Sequence, residues 1–149
     1  MERPRHFENY TVGEVRKTPG RTITETDNTW FTLLTMNTHP MHFDKEYAKA
    51  SEFGKVIVCS PLTVALMVGM SVTDVSQKAV ANLGWDEVRF PKPVFVGDTL
   101  HIVTEVLELR ASKSRPDAGI VTFLHQAFNQ RGELVASCKR SGLQRKRPA

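Results

Sequence analysis

Asn37, His39, His42 and Asp44 fall within eight residues, in the run Thr35-Met36-Asn37-Thr38-His39-Pro40-Met41-His42-Phe43-Asp44. An imidazole titrates close to neutral pH and can both take and return a proton. An amide orients water through its carbonyl and donates through its NH2, but it accepts no proton in that range. The set suits proton transfer by an imidazole beside a hydrogen-bonding amide. Pro40 cannot donate to a helix ladder and biases His39 away from helical backbone. An irregular loop is therefore predicted, its polar side chains turned inward together. A polar surface turn between two helices satisfies the same spacing, and spacing alone leaves both readings open.

The flanking segments must hold this loop in place. Thr24-Glu25-Thr26-Asp27 resembles a capping box, and Asp27, Trp30, Phe31 and Leu34 then recur at helical spacing, predicting a helix with an aromatic face. Asp44 is placed to cap a second helix over Lys45–Ser51, with Tyr47 and Ala48 facing inward. Ser60 reads as an N-cap and Pro61 as the first helical residue of Pro61–Val72, which is apolar nearly all round and so expected to be buried on every side. Strands are predicted over Ala79–Phe90 (kinked at Gly84), Thr99–Leu109, Ile120–Phe128 and Glu133–Leu143, with a loop at Ser112–Gly119. The segment up to Gly20 reads as irregular, and Arg21-Thr22-Ile23 as a short extended piece. One buried helix followed by four antiparallel strands is an α+β pattern.

A length of 149 residues suits one domain, and 40% hydrophobic with 24% charged residues is ordinary for a soluble globular chain. The start, Met1-Glu2-Arg3-Pro4-Arg5, leads into no apolar run, so no signal peptide is expected. Val56–Met70 is too short and interrupted to span a membrane. Cys59 and Cys138 make neither a disulfide framework nor a zinc site, which suggests a reducing, cytoplasmic setting without a structural metal. The net charge of +4 is concentrated in Lys139, Arg140, Arg145, Lys146 and Arg147. No run interleaves aromatics with cations, which argues against nucleic acid. A basic end equally suits a phosphorylated ligand such as coenzyme A, or is simply solvated.

The loop is similar to the hydratase signature of the MaoC-like dehydratases and (R)-specific enoyl-CoA hydratases, Gly-Asp-x-Asn-Pro-Leu-His, which here reads Met36-Asn37-Thr38-His39-Pro40-Met41-His42. Arg89-Phe90 with Pro93-Val94 and Gly97-Asp98-Thr99-Leu100 resembles a second recurring segment of that family, and together they span most of residues 21–143. The resemblance implies a hot-dog fold, an antiparallel sheet wrapped around a central helix, as a single domain over 1–149. It also implies hydration or dehydration of a 2-enoyl-CoA thioester, with no cofactor beyond the coenzyme A of the substrate.

By position His42 takes the family's catalytic imidazole role and Asn37 stands where its aspartate belongs. His39, Ser60, Pro61 and Leu62 fall at substrate-binding positions, with the Ser60 N–H as oxyanion donor and Leu62 or Thr63 as further donors. With an amide at 37, His42 performs both proton transfers, or His39 or Asp44 assists. The variant loop looks most like the subgroup acting on mesaconyl-CoA, β-methylmalyl-CoA or itaconyl-CoA, and the family implies a homodimer or a dimer-based assembly. A non-catalytic acyl-CoA-binding subunit stays open because the aspartate is missing. A hot-dog thioesterase is disfavoured because Pro61–Val72 holds no acid.

Overall fold

The computed structural model describes residues 5–148; Met1–Pro4, read above for a leader, and Ala149 lie outside the described residues. Thr24 caps the first helix, α1 (Glu25–Thr35), through the predicted box: its hydroxyl accepts from Asp27 N at 3.2 Å, and the Asp27 carboxylate accepts from Thr24 N at 2.8 Å. The buried face differs from the expectation. Asn28 and Thr32 are buried and Phe31 packs on the core, while Trp30, Leu33 and Leu34 are 64%, 72% and 77% exposed. Polar residues occupy the inner face because their hydrogen bonds are satisfied there, as described below for Asn28.

Asp44 caps α2 (Lys45–Ala50) by accepting from Tyr47 N at 2.9 Å; Ala48 is buried but Tyr47 stays half exposed. The central helix, α3 (Ser60–Met70), begins one residue earlier than predicted. Cys59, not Ser60, is its N-cap, because the Cys59 carbonyl already accepts from Leu62 N at 2.9 Å and Thr63 N at 3.3 Å. Nor is α3 buried all round. Leu62, Thr63, Val64 and Met67 are buried, while Pro61, Ala65 and Gly69, four residues apart, form an exposed stripe. A short helix, α4 (Val72–Val75), follows.

Four long strands run antiparallel as expected: β3 (Ala79–Arg89), β4 (Thr99–Ala111), β5 (Ala118–Phe128) and β6 (Leu134–Arg145). Two short strands lie in the first 22 residues: β1 (Val15–Lys17) pairs with β4 at Val103–Glu105, and β2 (Arg21–Thr22) pairs with its start. The segment read as irregular thus adds one strand, β1, while β2 falls on the extended piece expected at Arg21-Thr22-Ile23, and β4 is long enough to template both. Among the described residues the sheet has six strands, in the order β1-β4-β5-β6-β3 with β2 on β4. Leu62 and Met67 of α3 pack on Leu100, Ile102, Ala136 and Cys138 of the concave face, which closes the hot-dog fold around the helix. The register of β3 slips between Asn82 and Gly84, where the kink was predicted. The outer edge of β3 pairs with no strand among the described residues, and Leu83 and Trp85 on it are 49% and 46% exposed.

His125 lies fully buried on the concave face, its Nδ1 2.8 Å from the Thr104 hydroxyl. Burial first, then the Arg140 charge, pulls its pKa down to about 3. Between that value and the ordinary pKa of about 6.5 the unfolded chain binds a proton that the folded chain refuses. This contribution to stability is present above the unfolded pKa and is lost as pH falls. Urea unfolding between pH 6 and 4.5 should reveal that loss, and His125→Phe should reduce its slope by up to one proton, about 1.4 kcal/mol per pH unit.

Candidate active site

The loop between α1 and α2 is a succession of caps rather than the irregular segment expected. Met36 ends α1 in the left-handed region, φ 56°, and Asn37 N reaches back to Thr32 O at 3.0 Å. Asn37 Oδ1 then accepts from His39 N at 3.1 Å. Pro40–His42 form one 3₁₀ turn, with His39 as its cap: the His39 Nδ1 accepts from Met41 N at 3.2 Å. The fixed φ of Pro40 suits the first position of such a turn.

His42 is oriented by the backbone. Its Nδ1 lies 3.0 Å from the carbonyl of Ile57, which can only accept, so the neutral ring carries its proton on Nδ1 and leaves Nε2 with a lone pair. Asn28 fixes both partners. Its Nδ2 donates to His42 O at 2.7 Å and to Ile57 O at 3.3 Å, and its Oδ1 accepts from Cys59 N at 2.9 Å. One side chain, 1% exposed, thereby ties α1 to the imidazole, to the carbonyl that aims it and to the start of α3.

His42 and Asn28 line a cavity of about 340 Å³ that also meets Thr29, Phe43, Lys49 and Lys55. Asn37 lines a neighbouring, largely apolar cavity of about 400 Å³ with Thr32, Leu33 and Met36; Thr29 and Phe43 wall both. The Asn37 Nδ2 donates to the Cys59 sulfur at 3.1 Å. The His39 ring is exposed, 5.9 Å from that of His42 and 6.2 Å from that of Tyr47. Ser60 lines a third cavity, of about 260 Å³, with Ile57, Thr63 and Phe90. Pro61 is exposed beside it, and Leu62 is a core residue, 7% exposed.

The structure therefore brings the two imidazoles together and sets Asn37 on the Cys59 side of the same knot, with Ser60–Leu62 just beyond. As the first helical residue, Ser60 has no carbonyl within α3 for its N–H, whereas the Leu62 and Thr63 N–H groups are taken by Cys59 O. Asn28, Lys49 and Lys55 escaped the sequence reading. The signal for Asn28 was the polar pair Asn28 and Thr32, four apart on a helix otherwise judged by its apolar residues. The basic tail lies elsewhere: Arg145 pairs with Ala118, and the Lys146 ammonium donates to Pro116 O at 2.9 Å, at the opposite end of β6 from Ala136 and Cys138, which pack beneath Cys59.

With this geometry established, comparison with known proteins decides the family. The model of the MaoC like domain matches residues 7–127. The chain belongs to the MaoC-like family. It is 35% identical to a mesaconyl-CoA hydratase of Cereibacter sphaeroides over 144 residues, 96% of this chain but 42% of that protein. It is 31% identical over 107 residues to an (R)-specific enoyl-CoA hydratase of Aeromonas caviae, covering 72% of this chain and 75% of that one. Among solved structures it matches one described as a monoamine oxidase regulatory protein from Archaeoglobus fulgius, at 39% identity and a TM-score of 0.86, over 97% of each chain. The chain thus spans under half the length of its mesaconyl-CoA hydratase relative. No helix among the described residues of this MaoC-like chain is long and apolar enough to cross a membrane.

Removing the Asn28 amide takes the partner from the buried Cys59 N–H and from His42 O, while Ile57 O keeps the His42 Nδ1 proton. Asn28→Ala is expected to cost about 2–4 kcal/mol, from the penalty per unsatisfied group and partial relaxation. Asn28→Asp aims a carboxylate at two carbonyl oxygens, so its folded pKa rises above the unfolded value. The acid form, which still donates, is favoured below the unfolded pKa, and the deficit against the wild type should grow as pH rises through the folded pKa. Urea titrations from pH 4.5 to 7.5 check both.

Proposed function

We propose that this chain adds or removes water across the double bond of a 2-enoyl-CoA thioester. The observation carrying the reading is the His42 imidazole, with Nδ1 held on Ile57 O and Nε2 unclaimed beside a cavity of about 340 Å³, in a MaoC-like chain. In hydration, Nε2 takes a proton from water as the oxygen bonds to the β-carbon. The thioester carbonyl gains enolate character, and the Ser60 N–H at the start of α3 is the donor suited to receive it. The same imidazolium then returns its proton to the α-carbon, so one group on one face gives syn addition of water. Asn37 takes no proton, since an amide cannot. Its Nδ2 is held by the Cys59 sulfur, and the second lone pair of its Oδ1, beside that accepting from His39 N, is what remains to orient that water from the neighbouring cavity.

The acyl group in this reading is short and carries a second carboxylate, as in mesaconyl-CoA, β-methylmalyl-CoA or itaconyl-CoA. The kinship with a mesaconyl-CoA hydratase supports it; on the His42 cavity Lys45 pairs with Glu25, and Lys49 and Lys55 outnumber the remaining acid, Glu46. The setting is the reducing cytoplasm, consistent with two buried free thiols, and coenzyme A enters only as part of the substrate. A non-catalytic acyl-CoA-binding subunit is the second reading, favoured by the amide at 37.

Loss of enoyl-thioester absorbance with crotonyl-CoA and mesaconyl-CoA separates the two. His42→Ala is expected to lower kcat by about 10²–10⁴-fold, the usual worth of a positioned acid–base group. Asn37→Asp should weaken mesaconyl-CoA binding through like-charge repulsion. An equal rise of activity on both esters would refute a site tuned to a dicarboxylic acyl group, and no turnover of either by the wild type would leave the binding subunit.

The working unit is a homodimer or an assembly of such dimers. The open edge of β3, the exposed Leu83 and Trp85 and the exposed α3 stripe at Pro61, Ala65 and Gly69 are surfaces that pairing of two sheets would cover. Light scattering at micromolar protein is expected to give a dimer mass or a multiple of it, and an active monomer would reject the proposal.

A further inference from the structure

The concave face holds a second polar centre, at the far end of α3 from His42. Eleven helical residues, Ser60–Met70, separate the two ends, about 16 Å along the axis. There Arg140 of β6 is 4% exposed, yet it forms no ion pair among the described residues, and its Nε has no hydrogen-bond partner. The nearest aromatic support is the Phe123 ring, 5.8 Å from the guanidinium carbon. A cavity of about 290 Å³ opens on Arg140, lined also by Ser76, Asn82 and Gly142, and no acid lines it.

Two further groups on this face lack partners, Gln144 Oε1 and His125 Nε2. Gln144 donates through Nε2 to Val75 O at 3.1 Å, and its amide lies over Gly142, where an added Cβ would meet that nitrogen at 3.2 Å. A buried cation without a counter-charge is costly, since desolvation is not repaid by attraction. Arg140 is thus a cation lacking its anion, beside a space in which an anion fits. Its single charge matches one carboxylate, and its planar fork matches the two oxygens. Ser76 and Asn82 supply neutral donors for the remaining lone pairs.

We propose that this cavity binds a small carboxylate, held by the Arg140 guanidinium on the concave face of the sheet. The site is separate from the His42 cavity, so its occupancy is read without reference to turnover. Thermal unfolding of the wild type is followed with sodium propionate, sodium phosphate or sodium chloride at matched ionic strength. Propionate is expected to raise Tm saturably by about 2–5 °C, as a ligand bound only by the native state does.

Arg140→Met, which removes the charge and keeps much of the volume, should retain its Tm without ligand and lose the propionate response. In case that variant fails to fold, the side-chain ¹⁵Nε–H resonance of Arg140 in the wild type should shift with propionate along the same saturation curve. No saturable response, an equal response in Arg140→Met, or a response to phosphate alone would overturn the proposal. So would a wild-type dimer that ignores propionate while Arg140→Met runs as a monomer, because the missing anion would then be a carboxylate of a second copy.

Discussion

A single buried amide governs the candidate active site. Asn28 has one acceptor and two donor hydrogens, and it uses them on Cys59 N, His42 O and Ile57 O. Those partners come from two separate stretches of chain: the 3₁₀ turn, and the Ile57–Cys59 segment that runs into the α3 cap. Because Ile57 O also receives the His42 Nδ1 proton, the amide fixes both where the ring sits and which nitrogen is left unprotonated. The helix carrying Asn28 must turn its polar face inward to do this, leaving Trp30, Leu33 and Leu34 outside. The unusual amphipathy of α1 follows from the site, not from the core.

Much of the architecture was legible because it rests on local chemistry. The Thr24–Asp27 box, the Asp44 cap and the alternation along β4 and β5 each depend on residues close in sequence, and each lies where the pattern placed it. The loop itself stood out because Pro40 and two imidazoles have few uses in a helix. The misread features depend on distant partners. Asn28 is defined by groups 14, 29 and 31 residues away, which no helical periodicity reports. The one-residue advance of α3 follows from Cys59 being held by that same amide. β1 is too short to carry an alternating pattern, and it exists because β4 offers it a partner edge.

The two ends of α3 pose contrasting electrostatic problems on one scaffold. At its start, the Asn28 amide is matched on both its oxygen and its nitrogen, and the imidazole is oriented and half-buried. Beyond its C-terminal end, Arg140, Gln144 and His125 share the concave face with unmet hydrogen-bonding capacity. His125 stays neutral there because burial and the Arg140 charge both disfavour its cation. Tyr10, whose hydroxyl donates to Val75 O at 2.8 Å, has its pKa pushed up by burial to about 12 and stays neutral as well. Arg140 is thereby left as the cation among neutral neighbours.

The open edge of β3 has a consequence for symmetry. An antiparallel edge joined to its own copy is related to it by a two-fold axis, and a residue near that axis faces itself. Each substitution there then enters the contact twice, so a change too small to matter in one chain is doubled in the pair. Trp85 and Asp86, neighbours on that strand, would be judged by such self-encounters: an aromatic ring meets a ring, but a carboxylate meets its own charge. In a pair joined there, drift along β3 would be constrained by self-compatibility rather than by the fold of a single chain.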